Sequence, residues 1–134
     1  MSHLFTLTLM DNLPVMIAVL EKDFVIAEDW APGEAEMRQV LDSREEPLFF
    51  ISDFRELKLN LDDVIAGANI GSRGQDPIWQ HPKIRGVYLI SNLKIVELAV
   101  KGLSSPVFGY PKVKAFNTVE KALEDIRSLL ASEG

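Results

Sequence analysis

Short apolar runs of strand length alternate with stretches of helical period, and this alternation constrains the chain more than any single motif. The run "LFTLTL" (4–9) alternates apolar and polar residues, the pattern of a half-buried strand. "VMIAVLE" (15–21) is continuously apolar over strand length, as a central strand covered on both faces requires. "FVIAE" (24–28), after the short turn at Lys22 and Asp23, reads as its hairpin partner. "LFFIS" (48–52), "GVYLIS" (86–91) and "VKAF" (113–116) are the remaining strand candidates.

Between them the period changes. In "DWAPGEAEMRQVLDS", Met37, Val40 and Leu41 recur at helical spacing, with acids near the start and Pro32 suited to a first turn. Leu61, Val64, Ile65 and Ala68 form a second apolar stripe. "NLKIVELAVKGL" (92–103) is a third helix, and "VEKALEDIRSLL" (119–130) is the clearest of all. Strand–helix–strand units of this length imply parallel neighbours joined by right-handed crossovers. The expectation is one α/β domain over 1–134. Its mixed central sheet has about five strands, three to four helices and an antiparallel pairing near its beginning. Two long loops stand out, Arg73–Lys83 and Ser104–Pro111.

At 134 residues, 47% of them hydrophobic, the chain has enough apolar surface for one ordinary core. It has no cysteine, so disulfides, thiolate metal sites and a cysteine nucleophile are excluded. The formal charge of −6 disfavours nucleic acid, whose phosphates need a clustered basic surface. The opening "MSHLFTLTLMD" has no basic segment before its short apolar run, and no stretch approaches the roughly 20 apolar residues of a membrane helix. A soluble cytoplasmic protein with no integral membrane segment is expected.

In open α/β sheets, sites form at the carboxyl ends of the parallel strands. Here those ends read Ser52-Asp53, Ser91-Asn92 and Asn117-Thr118. Ser52, Asp53, Ser91 and Asn92 are therefore candidate site residues. The same residue types are also the preferred helix caps, because a side-chain oxygen satisfies an orphan backbone N–H. Asn117 and Glu120 have capping-box spacing. Asp53 resembles the phosphoryl-accepting aspartate of a response-regulator receiver only in position. No acidic pair sits behind the first strand, and the last strand ends without the lysine such a site needs. Asp53 is expected to pair with Arg55 or with backbone N–H groups.

"GANIGSRG" (67–74) lacks the Gly-Lys-Ser/Thr ending of a phosphate loop and has no strand immediately before it. The two histidines, His3 and His81, have no recognisable nucleophile or ligand cluster beside them in sequence. No catalytic residue, metal site or cofactor is assigned. Trp79, His81, Phe108 and Tyr110 mark the long loops as a candidate ligand or partner surface, since loops carrying large apolar groups cover pockets or meet partners.

The order and spacing of several segments resemble the SpoIIAA-like branch of the STAS domains, also described as STAS/SEC14-like. They are the strand entered through Pro14, "FVIAEDW", "LFFISDF", "HPKIRGVYLISN" and the closing "VKAFNTVEKALEDI". The resemblance covers most of the chain. The last segment is the most telling, with its short strand ending in Phe116 and the Glu120-Lys121-Ala122-Leu123 core of the final helix. None of the matching elements is catalytic. Related anti-anti-sigma factors carry a phosphorylatable serine in an Asp-Ser-Ser-Gly setting. The resemblance places Asp62 or Asp63 there, so phospho-switching of that kind is not expected, and both acids suit a first helical turn. The resemblance implies a non-catalytic regulatory or binding module for a protein partner or a small apolar ligand, with a homodimer as one form. Two alternatives are a small enzyme using Asp53, Ser91 or His81 and a structural oligomer component.

Overall fold

A computed structural model of the chain describes residues 5–24, 26–57, 62, 81–103 and 113–133. Five strands form one sheet in the order β1-β2-β3-β4-β5: Phe5–Leu9, Val15–Leu20, Leu48–Asp53, Ile84–Ile90 and Val113–Phe116. β1 is antiparallel to β2, and the other neighbours are parallel. The helices among the described segments are α1 (Ile26–Asp42), α2 (Lys94–Leu103) and α3 (Val119–Glu133). Asp62 is also helical. The expected five-stranded mixed α/β sheet is the architecture found.

The burial of each strand follows its place in the sheet. Every residue of the central β3 is buried, and so is all of β4 except Arg85. This is why their sequences are continuously apolar over 48–51 and 87–90. β1 lies at an edge, so its alternating residues are only half buried or exposed.

The strand order advances steadily in one direction, so right-handed crossovers place α1 and α2 on the same face. Met37 and Leu41 of α1 and Val96 and Val100 of α2 share one core with Met16, Ala18, Leu20, Leu48, Phe50, Val87 and Leu89. α3 leaves the far edge after β5 and returns over the opposite face. There Ala122, Leu123 and Ile126 pack on Val15, Phe49, Ile51, Tyr88 and Ile90.

α3 is fastened by more than apolar contact. The Tyr88 hydroxyl donates to Asp125 at 2.6 Å, and Lys114 Nζ donates to the same carboxylate at 2.8 Å. Tyr88 stacks on Phe116 with centroids 5.8 Å apart. Arg85 lies 4.7 Å over the Phe49 ring and pairs with Glu133 at the end of the helix. Burial alone pushes the Asp125 carboxyl pKa up, but the hydrogen bonds from Lys114 and Tyr88 outweigh it and leave it below the ordinary value. Burial first, then Asp125, pushes the Tyr88 hydroxyl pKa up, so it remains a donor.

Two sequence expectations fail at the start of the chain. The residues from Ile26 to Glu28 are not a strand that pairs back on β2; they open α1, and β2 takes its antiparallel partner from β1. A short apolar run fits either a strand or the buried face of a helix. Here Phe24 is buried and meets Phe5 edge-on at 6.3 Å, which anchors the entry to α1 against the edge strand. In consequence Pro32 lies within α1 and not in its first turn, where its missing N–H removes one intrahelical bond.

Candidate functional site

The parallel strands point their carboxyl ends at one edge of the sheet, and three of the expected polar positions there turn out to fasten the backbone. Asp53 closes β3 with only 4% of its surface exposed. Arg55 Nε donates to both of its oxygens, at 2.9 and 3.1 Å, a second guanidinium nitrogen donates at 2.7 Å, and the Arg55 N–H adds a fourth bond at 3.0 Å. This is the Asp53–Arg55 pairing expected from the sequence. The hydrogen bonds to Asp53 raise the Arg55 pKa further. At the end of β4, Ser91 Oγ accepts from the Leu93 N–H at 3.1 Å and holds the turn into α2. At the end of β5, Thr118 Oγ1 accepts from the Lys121 N–H at 3.2 Å, which makes Thr118 the cap of α3. The proposed Asn117–Glu120 box is therefore displaced by one residue, and Asn117 is left exposed.

Ser52 is buried at 1% exposure, and its hydroxyl has no hydrogen-bond partner among the described residues. Its neighbours in the sheet register are Ala18 and Leu89, which belong to the core under α1 and α2.

His81 is not at this edge. It precedes β4, whose seven residues, at about 3.3 Å each, put about 20 Å between the two ends. The ring is buried, with 7% of the residue exposed. Its Nδ1 accepts from the Lys83 N–H at 3.0 Å, and its Nε2 lies 2.9 Å from Asp42 Oδ1. With Nδ1 accepting, Nε2 carries the proton and donates to Asp42. The ring ties the end of α1 to the entrance of β4. His81 is thus a corrected assignment twice over: it is a buried structural residue instead of a surface one, and it sits at the opposite end of the sheet from Asp53 and Ser91. The three cannot converge on one reacting group.

Trp79, Phe108, Tyr110 and Asp63 lie outside the described residues. His81, in the last part of the first long loop, and Val113, after the second, lead into the amino ends of β4 and β5. Asp62 is exposed. Among the described residues, no three His, Asp or Glu side chains are grouped to hold a metal ion, and no helix is long and apolar enough to cross a membrane.

What the carboxyl edge does carry is a cleft of about 370 Å³ between the first turns of α2 and α3. Ser91, Asn92, Leu93, Lys94, Val96, Glu97, Ala115, Phe116, Asn117 and Lys121 line it. Leu93, Val96, Ala115 and Phe116 are its apolar members. Asn92, Asn117 and the two lysines are exposed beside them. Of the lining residues, Ser91 and Asn92 were candidates from the sequence, whereas Lys94, Phe116 and Lys121 were missed. A signal for the lysines was present. Each comes only a few residues after a strand end and so falls in a helix's first turn, where the dipole disfavours a cation.

A solved structure of an uncharacterized DUF3478-family protein from Shewanella loihica PV-4, described as having a SpoIIAA-like fold, superposes with a TM-score of 0.60. It is 15% identical, and the match covers 91% of each chain. No family model matches the sequence, and no curated protein matches it. The likeness and the sheet order agree on the architecture: this chain has a STAS/SpoIIAA-like fold.

Proposed function

We propose that this chain is a non-catalytic binding module that takes a small ligand with an apolar body in the cleft between α2 and α3. The observation that carries this reading is a division of labour at the carboxyl edge. Asp53, Ser91 and Thr118 are held in bonds that fasten the backbone, while Asn92, Lys94, Asn117 and Lys121 of the cleft lining are exposed. Its volume of about 370 Å³ falls inside the roughly 300–1,000 Å³ of small-molecule sites. Its position agrees with the general location of sites in open parallel sheets.

A native mass spectrum of the purified chain tests the proposal, run beside Asn117→Trp, which fills the cleft from an exposed position without touching the Thr118 cap. The reading expects extra mass on the wild type that the variant loses. Bare chain mass in both, or equal extra mass in both, contradicts it.

A protein partner is the second reading, favoured by one observation. Leu98 on α2 is 56% exposed, and Leu93, which lines the cleft just before α2, is 37% exposed. Light scattering with Leu98→Glu separates the two: a complex or dimer that this variant dissolves supports a partner on α2, and a wild-type monomer opposes self-association there.

A further inference from the structure

The cleft has a charge arrangement that the fold alone does not explain. Lys94 opens α2, and Lys121 sits three residues beyond the Thr118 cap of α3. Both are exposed and both line the same cleft. A helix amino terminus carries partial positive charge, so a cation in the first turn is unfavourable. Each first turn also holds an acid, Glu97 in α2 and Glu120 in α3, yet both lysines line one shared space. Neither lysine is in an ion pair among the described residues. Glu97, the acidic member of the lining, stands 3.7 Å from Lys101, one turn further along its own helix. Glu120 is exposed in the first turn of α3 and is not part of the lining. The lining therefore sets two cations against one acid, in a chain whose overall charge is −6. Two unpaired cations gathered on one cleft are a local inconsistency of the kind expected at functional sites.

The rest of the lining limits that ligand's chemistry. Ser91 uses a lone pair to accept from the Leu93 N–H, which leaves its O–H free to donate. The exposed Asn92 and Asn117 amides add further donors. Leu93, Val96, Ala115 and Phe116 are the apolar members of the lining, Leu93 the most exposed of them. A bare inorganic ion would leave that apolar surface unused, and a neutral hydrocarbon would leave both ammonium groups uncompensated.

We infer that the cleft binds a small organic anion, with a phosphate or carboxylate head between Lys94 and Lys121 and an apolar body against Phe116. This rests on the small-ligand reading above and assigns the ligand class. It makes the carboxyl edge an anion receptor in an otherwise acidic protein.

The test is a titration of the full ¹⁵N-labelled chain, monitored by amide shifts at fixed pH and ionic strength, with three probes: phenyl phosphate, inorganic phosphate and phenol. The expected result is saturable movement of the amides of Ser91–Glu97 and Phe116–Lys121 with phenyl phosphate, and clearly weaker binding of the other two. Benzoate in place of phenyl phosphate distinguishes a carboxylate head from a phosphate. Lys94→Ala and Lys121→Ala are each expected to weaken binding about two- to fivefold, the range of a partly screened charge pair. Without ligand, both variants are expected to raise the urea midpoint, because each removes a cation from a helix amino terminus. Equal binding of phenol and phenyl phosphate, or an unchanged Lys94→Ala/Lys121→Ala double variant, overturns the anion and leaves the small-ligand cleft standing. Equal binding of inorganic phosphate overturns the apolar body. Shifts that fail to saturate with every probe overturn the ligand class, while the native mass comparison still decides the small-ligand reading.

Discussion

At the scale of single residues, the polar groups of the carboxyl edge are distinguished by whether their oxygens are already engaged. Asp53 is buried and receives four hydrogen bonds from Arg55. Arg55→Ala would strip three of them and leave a buried carboxylate with one backbone donor. The expected loss is about 1–3 kcal/mol, the desolvation penalty of an under-satisfied group, read as a lower urea midpoint. The caps offer a sharper contrast. Thr118→Ala should cost about 1 kcal/mol, the usual loss for an N-cap, whereas Asn117→Ala should leave thermal unfolding unchanged. The reverse order would restore the cap to Asn117. The sequence marked this stretch as a cap but not which residue supplies it, because Asn and Thr are both good caps and only the path of the chain decides between them. Asp53 and Arg55 were legible as a pair because they stand two positions apart and the strand must end there. His81 was not legible. Its partner Asp42 is 39 residues away, and only the α1–β4 packing brings them together.

At the scale of elements, α1 and α3 are held by different means. α1 lies on the edge strand through a close approach: a Cβ at Gly33 would stand 3.1 Å from the Phe5 ring. Gly33→Ala sets a helix-propensity gain of up to about 1 kcal/mol against a slight shift of a half-buried ring, and a net change within about 1 kcal/mol of zero is expected. Gly33→Leu cannot be accommodated that way and should destabilise by about 1–3 kcal/mol, measured by urea denaturation. α3 is held through Asp125. Its folded pKa is depressed, so its contribution is present above the unfolded carboxyl value and is lost as pH falls through the folded one. Wild-type stability should therefore decline below about pH 4, near the ordinary aspartate value, and Asp125→Asn should flatten that decline while lowering stability at neutral pH. An unchanged acid limb in the variant would place the α3 fastening elsewhere. The long, strongly periodic α3 was readable from sequence because Ala122, Leu123 and Ile126 repeat on one side and all pack on the sheet. The beginning of α1 was not, since its first residues are as apolar as a strand and Phe24, just before them, makes its contact with β1.

At the scale of the whole molecule, the alternation of apolar runs and amphipathic stretches carried most of the architecture. A sheet whose order tracks the chain, crossed by right-handed connections, leaves little freedom about which face each helix takes. The same regularity separates two working ends. The amino ends of the strands are tied by His81, Asp42, Arg85 and Glu133. The carboxyl ends carry the cleft and its two lysines. The cleft was only partly visible in the sequence. Ser91 and Asn92 announced themselves as a strand end, but Phe116 and Lys121 lie on another strand and helix, and only the β4–β5 pairing brings them beside α2. The central claim, that the carboxyl edge between α2 and α3 is the recognition site, is tested most directly by an unbiased fragment screen on the ¹⁵N-labelled chain. The account predicts that saturable amide shifts gather on Ser91–Glu97 and Ala115–Lys121 and disappear in Asn117→Trp. Hits that gather instead around Asp42, His81 and Lys83, at the opposite edge of the sheet, would contradict it.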